Sequence, residues 1–173
     1  MITAIATDNL ILKPITMEYK EDIFREFTHA VTVYTYPKPP EKLEDTVRFI
    51  ERTMKANQEG KNLQLVVLNK KTKEFLGCAE LHNIDTKTPE LGIWIKKSAQ
   101  GNSYGKEAIT ALKSWADKNL DYDHISYPVA EKNYPSRRIP ESLGGKVFQE
   151  YDEINMSGVK HHILEYRIYS DSQ

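Results

Sequence analysis

The chain has 173 residues, 39% of them apolar and 28% charged, a composition that folds around a core rather than staying disordered. Twenty-four Lys and Arg face 25 Asp and Glu for a net charge of -1, so no global field draws the chain to nucleic acid or anionic lipid. The lone Cys78 has no partner for a bridge, no Cys/His cluster has metal-ligand spacing, and no apolar run approaches 18 residues; these point to a reducing cytoplasm without metal or membrane span.

No internal repeat or low-complexity linker divides the sequence, so one domain over residues 1–173 is expected. Asn9–Ile15 reads as a first strand. Thr16 is placed to cap a helix over Met17–Phe27, with Glu18 suiting the positive end of its dipole. The three prolines of Tyr34–Pro40 exclude regular hydrogen bonding and make a stiff loop. Glu41–Gln58 is helical, with Leu43, Val47, Ile50 and Met54 stepping onto one face and Gly60 ending it.

The period then changes to two. Asn62–Leu68, Phe75–His82 and Glu90–Ile95 are β-rich runs separated by Asn-Lys-Lys-Thr-Lys and Asp-Thr-Lys-Thr-Pro turns, the pattern of an antiparallel meander. A helix over Ser103–Asn119 puts Ala108, Ile109, Leu112 and Trp115 on one face. A strand at His124–Ala130, a short helix over Ser136–Leu143 and strands near Lys146–Tyr151 and His161–Tyr169 complete the chain. The helix between Ile95 and His124 has crossover length, so those two strands should run parallel. The fold class is α+β, a mixed and mostly antiparallel sheet flanked by helices.

Glu90–Gly105, ELGIWIKKSAQGNSYG, is the most informative stretch. An apolar strand ends, a basic connector follows, and a glycine-punctuated turn opens a helix. Gly101 and Gly105 allow a tight turn and close approach, and the first helical N–H groups are unpaired donors suited to a pyrophosphate. Lys96 and Lys97 add either long-range attraction or ordinary solvated charge. The stretch is neither a dinucleotide fingerprint nor a Walker loop; taken alone it is also what a well-capped helix looks like.

The turn Gln100-Gly101-Asn102-Ser103-Tyr104-Gly105 resembles the Gln/Arg-x-x-Gly-x-Gly/Ala signature of the GNAT superfamily of N-acetyltransferases, matching at Gln100 and Gly105 and departing at Ser103, where glycine is usual. Glu90–Ile95, Leu76–Ile84, Asn133-Tyr134-Pro135-Ser136 with Glu141–Gly144, and Leu10–Pro14 are similar in order and spacing to the ribosomal-protein N-acetyltransferase branch. The resemblance implies the GNAT fold and transfer of acetyl from acetyl-CoA to an amine, which is either a protein or peptide N-terminus or a small molecule. Homodimers are common for such folds.

The resemblance further implies that backbone amides of Gln100 to Gly105 hold the coenzyme A pyrophosphate. The acyl-pantetheine arm would lie between Ile93, Trp94 and Ile95 on one strand and Pro128 to Ala130 on the other. Asn133 would bond the arm, and Ser136 would sit near the sulfur to protonate or stabilise the leaving thiolate. The tyrosine that many relatives carry near the sulfur is replaced by Pro140, which should kink or shorten the last helix.

Glu80 and Glu90 are the carboxylates available as general base, with His82 as a third choice. Period-two alternation puts Glu80 on one face with Cys78 and His82. Cys78 reads as a small buried hydrophobe. The resemblance implies an acceptor site built from the first two helices, the loop joining them and the last strands, which points to Phe27, Tyr34, Tyr36, Tyr166 and Tyr169. The departures at Ser103 and Pro140 also raise a second reading, an acetyl-CoA-binding regulatory module without turnover.

Overall fold

The computed structural model describes residues 2–171. Eight strands form one sheet in the order β1-β2-β3-β4-β5-β6-β8-β7: β1 (Ile5–Ala6), β2 (Leu10–Pro14), β3 (Leu63–Asn69), β4 (Phe75–His82), β5 (Glu90–Ile95), β6 (Ile125–Ala130), β7 (Lys146–Ile154) and β8 (Lys160–Ile168). Every neighbouring pair is antiparallel except β5 with β6. The meander and the parallel crossover are therefore as expected. The short β1 was not anticipated, because two residues cannot establish an alternating pattern.

Five α-helices pack on the sheet: α1 (Lys20–Glu26), α2 (His29–Thr32), α3 (Leu43–Gln58), α4 (Tyr104–Asn119) and α5 (Tyr134–Ser142). On one face Leu12, Leu65, Ala79, Leu81 and Leu91 meet Ala108, Ile109 and Leu112 of α4. On the other, Val66, Phe75 and Cys78 meet Tyr19, Ile23 and Ile50 from the first helices. Covered on both sides, β3 and most of β4 read as continuous apolar runs rather than alternating ones.

Three local expectations change. The first helix does not start at a Thr16 cap: a 3-10 turn at Met17–Tyr19 comes first, using the Thr16 carbonyl, and the Thr16 hydroxyl is buried with no hydrogen-bond partner among the described residues. On α3 the buried residues are Thr46, Ile50 and Thr53, while Met54 is exposed; threonine methyls serve as core-facing surface, so a count of apolar residues misplaces the stripe. Pro140 lies inside α5 without ending it there. The helix starts two residues earlier than expected and runs to Ser142; Pro140 removes one interior N–H bond, and its carbonyl accepts from Leu143 and Gly145 in the closing turn.

Candidate active site

The parallel pair β5–β6 is in ladder register only at Glu90 and Ser126, whereas β6 pairs with β8 along its whole length. β5 and β6 thus diverge beyond Glu90 and open a gap in the middle of the sheet. Lys96 donates its N–H to the Leu76 carbonyl in the β4–β5 ladder. By alternation along that ladder, Trp94 and Gly92 also direct their N–H groups to β4, and Ile93 and Ile95 direct theirs into the gap. Of the three β5 residues expected beside the arm, Ile93 and Ile95 therefore direct main-chain donors into the gap, while Trp94 lines the cavity.

At the end of β5 the chain turns into α4. Gly101 has φ 85° and needs glycine's freedom; Gly105 does not, since it lies inside the helix and a Cβ there would meet Ile139, Ile93 and Ile95 at ordinary 3.5–3.9 Å contact. Gln100 Nε2 donates to the Ile95 carbonyl at 2.9 Å, and Asn102 Nδ2 donates to the Ala99 carbonyl at 3.0 Å. These side chains brace the turn, leaving main-chain N–H groups as its outward-facing donors. Ser103 takes the left-handed conformation, φ 62°, at the position where glycine was expected, and its hydroxyl makes no cap bond. Tyr104 is the first residue of the helix. The geometry fits an anion at the start of a 16-residue helix, with its dipole and unpaired N–H groups. Lys96 takes no part, because its buried ammonium donates to Glu74 at 2.6 Å; only Lys97 is exposed.

The gap opens on the α1/α3 face into a cavity of about 360 Å³. Phe27, Tyr34, Tyr36, Trp94 and Tyr151 give it aromatic walls, and Glu80, Glu90 and Glu153 supply carboxylates. Among the described residues no lysine or arginine lines it. Phe27 and Trp94 rings lie 4.9 Å apart. The Tyr34–Pro37 loop is tied to the β7–β8 hairpin, because the buried Asn155 donates to the Thr35 carbonyl at 3.1 Å and Met156 N–H donates to the Tyr36 carbonyl at 2.9 Å. Tyr166 and Tyr169 are not part of this cavity. Tyr166 alternates onto the opposite, α4-packed face and is buried, and Tyr169 is exposed beside His124.

Glu80, His82 and Glu90 share the cavity face through the β4–β5 register, which sets His82 opposite Glu90 and Glu80 opposite Gly92. A Cβ on Gly92 would sit 2.4 Å from Glu80 Oε1, so glycine makes room for that side chain. His82 Nε2 lies 3.2 Å from Glu80 Oε1. This bond, aided by the charges of Glu80 and Glu90 and opposed by burial, raises the imidazole above its ordinary range. Burial chiefly, with the charges of Glu80, Glu165 and Glu153, pushes the Glu90 carboxyl up, and His82 opposes the shift. Such a carboxylate is a better proton acceptor than an exposed one. Cys78 is buried outside the cavity lining, and burial with the Glu80 charge pushes its thiol well above the ordinary value; it is inert as a nucleophile.

Across the gap, Asn133 and Ser136 both line the cavity. Asn133 precedes α5 but its side chain makes no cap bond, which leaves the amide available. Ser136 Oγ lies 2.7 Å from Tyr127 Oη on β6. An Arg137 bond to the Glu131 carbonyl (2.9 Å) and a Tyr166 bond to Glu141 (2.7 Å) hold α5 in place. Tyr127, Tyr151, Glu153 and Asn155 escaped the sequence reading. Tyr127 has one signal, a phenol on the inward register of Ile125, Tyr127 and Val129. Glu153 and Asn155 lie past the expected end of β7 at Tyr151.

The splayed strands, the amide-rich helix start and the carboxylate-bearing cavity are joined by a sequence match: residues 9–146 fit the family described as Acetyltransferase (GNAT) domain. No curated protein matches the chain. Among solved structures, the chain superposes on a GNAT-family acetyltransferase from Bacillus anthracis with a TM-score of 0.83 at 20% identity, covering 98% of this chain and 99% of that one. A ribosomal L7/L12 α-N-protein acetyltransferase in complex with coenzyme A gives 0.85 at 14% identity, covering 98% and 99%. Spermidine N-acetyltransferase from Vibrio cholerae, in complex with CoA and spermine, gives 0.82 at 17%, covering 95% and 97%. The chain belongs to the GNAT acetyltransferase family and is an acetyl-CoA-dependent N-acetyltransferase acting on an amine.

Proposed function

We propose that the gap between β5 and β6 holds the acetyl-pantetheine arm and that a cationic primary amine enters from the carboxylate side to attack it directly. The observation that carries this reading is the pairing of the two strands at one position only, which leaves main-chain donors of Ile93 and Ile95 facing a gap. An N–H there stabilises the oxygen as charge develops on it in the transition state. The amides of Gly101, Asn102, Ser103, Tyr104 and Gly105 receive the pyrophosphate; Gln100, whose own N–H is taken by the Lys97 carbonyl at 3.3 Å, braces the turn through its side chain, and Asn133 bonds the arm. Glu90, the carboxylate whose burial raises its proton affinity, takes the ammonium proton, with Glu80 and His82 beside it. As the new N–C bond forms, the C–S bond breaks and its electron pair leaves on sulfur, next to Ser136. The requirement for acetyl-CoA and the single free cysteine suit a cytoplasmic setting.

The acceptor reading rests on charge. Three carboxylates and no basic side chain line a small aromatic-walled cavity, an environment that attracts ammonium groups and repels carboxylates. Diamines and peptide N-termini without acidic neighbours fit it; free amino acids, which carry a carboxylate beside the amine, do not. Acetyl-CoA-dependent thiol release against diamines, neutral and acidic peptides, aminoglycosides and free amino acids tests this. Turnover concentrated on cationic acceptors is expected. Equal turnover on free amino acids contradicts the charge argument, and tight acetyl-CoA binding with silence across all amines favours a binding module without chemistry.

A further inference from the structure

We infer that Tyr127 is a positioning residue for the reaction: its phenol fixes the hydroxyl of Ser136 so that the serine hydrogen points into the gap between β5 and β6. The inference rests on the reading of that gap as the thioester site.

The argument is one of hydrogen-bond accounting. Tyr127 is 2% exposed, and its oxygen lies 2.7 Å from Ser136 Oγ. Among the described residues neither oxygen has another hydrogen-bond partner. Each hydroxyl carries one hydrogen, so one of the two must donate to the other. Both residues line the cavity, but Tyr127 is the more deeply buried and Ser136 is partly exposed; if Ser136 donated, the hydrogen left without an acceptor among the described residues would be that of the buried phenol. A buried donor left unpaired in this way is disfavoured. If Tyr127 donates, its hydrogen is satisfied and the serine hydrogen is left on the side of the cavity that Ser136 lines. The second arrangement prevails.

Burial also pushes the Tyr127 phenol up to about 12, against the opposing Ser136 bond, so it stays a neutral donor through the working pH range. Its ring is seated among the residues that carry α4 and α5, which fixes the phenol oxygen relative to the gap. The tyrosine that many relatives outside the resembled branch carry at this point is replaced by Pro140, which is buried inside α5. A phenol therefore still reaches this region, but from the neighbouring strand and through a serine.

The step needs no net proton loss from Tyr127. The C–S bond breaks, its electron pair moves to sulfur, and the Ser136 hydrogen bonds to the departing thiolate while Tyr127 holds the serine oxygen. The ammonium proton goes separately to the base. Charge-assisted bonds of this kind to a leaving thiolate are stronger than neutral ones.

The test compares Tyr127→Phe, Ser136→Ala and the double variant, reading kcat and acetyl-CoA affinity with the best amine of the panel. Tyr127→Phe keeps the ring in the core, and unchanged acetyl-CoA affinity serves as the folding check. The expected result is a kcat about tenfold lower for Tyr127→Phe, a loss at least as large for Ser136→Ala, and a double variant no worse than Ser136→Ala alone. Wild-type kcat in Tyr127→Phe or in Ser136→Ala overturns the inference, as does a double variant whose losses multiply. Absence of wild-type turnover on every amine overturns the underlying reading of the gap, and this inference with it; turnover with an unimpaired Tyr127→Phe overturns this inference alone.

Discussion

The two sides of the gap are built in opposite ways. On the side proposed for the coenzyme, the donors are main-chain N–H groups, from alternate residues at the end of β5 and from the turn that opens α4 a few residues later. On the acceptor side, Glu80, Glu90 and Glu153 come from β4, β5 and β7, and they meet only because the sheet order places those strands around one cavity. Backbone recognition needs a short contiguous motif with the right turn. Side-chain recognition needs a whole topology. The first side tolerates sequence change as long as the turn survives, and the second changes specificity with single substitutions.

The largest effect should come from breaking the acceptor side at its proton acceptor. Glu90→Gln should lower kcat/KM by about 100-fold or more, within the range general-base catalysis contributes, and leave acetyl-CoA affinity unchanged in a calorimetric titration. The pH profile carries the same information. Glu90 works when ionised, and its carboxyl is raised above the ordinary 4.5, so activity should fall with decreasing pH along a limb lying above that value. His82 holds Glu90 down, so His82→Asn should move the limb to higher pH, and Glu90→Gln should abolish it. A limb unmoved by both changes assigns it to another group.

A smaller effect is expected at Asn155, which touches the acceptor side only through the loop it holds. Asn155→Ala removes the bond to the Thr35 carbonyl and should raise the amine KM about three- to tenfold, with the acetyl-CoA KM unchanged. Steady-state kinetics with each substrate varied in turn checks this; equal rises in both would show that the loop supports the coenzyme side as well.

Two changes in the turn sharpen the coenzyme side. Gly101→Ala meets no atom within 4 Å but puts a side chain at φ 85°, so it should cost about 1 kcal/mol of stability and raise the acetyl-CoA KM while sparing the amine KM. Ser103→Gly should do the reverse and least of all. It relieves the left-handed serine but adds chain entropy to the unfolded state, for a Tm rise of about 2 °C or less, read by thermal denaturation. A fall in Tm would show that the serine side chain stabilises the turn in some other way.

This division explains what the sequence disclosed. Phe75–His82 and Glu90–Ile95 were placed to the residue, because turn-forming residues bound β-rich runs on both sides. The α4 turn was legible for the same reason, its information being local. The gap itself was not visible in periodicity; it came from resemblance, and the structure locates its unpaired groups at Ile93 and Ile95 rather than Trp94. Glu153 and Asn155 were missed because β7 is exposed along nearly its whole length, so no burial pattern marks where it ends. Tyr166 is expected at the acceptor wall from the family resemblance of the last strands, and one step of strand alternation puts it on the opposite face. Tyr127 is a core residue, and its contact with Ser136, nine residues away, arises only because α5 packs onto β6.

The central claim is that the carboxylates serve the amine and the backbone serves the coenzyme. Its most direct test is the acetyl-CoA dissociation constant of the triple variant Glu80→Gln, Glu90→Gln, Glu153→Gln, measured beside its turnover on the best cationic amine. The account predicts an affinity within about twofold of wild type and turnover lowered by about 100-fold or more. Coenzyme affinity lost in parallel with turnover, or turnover left intact, would contradict it.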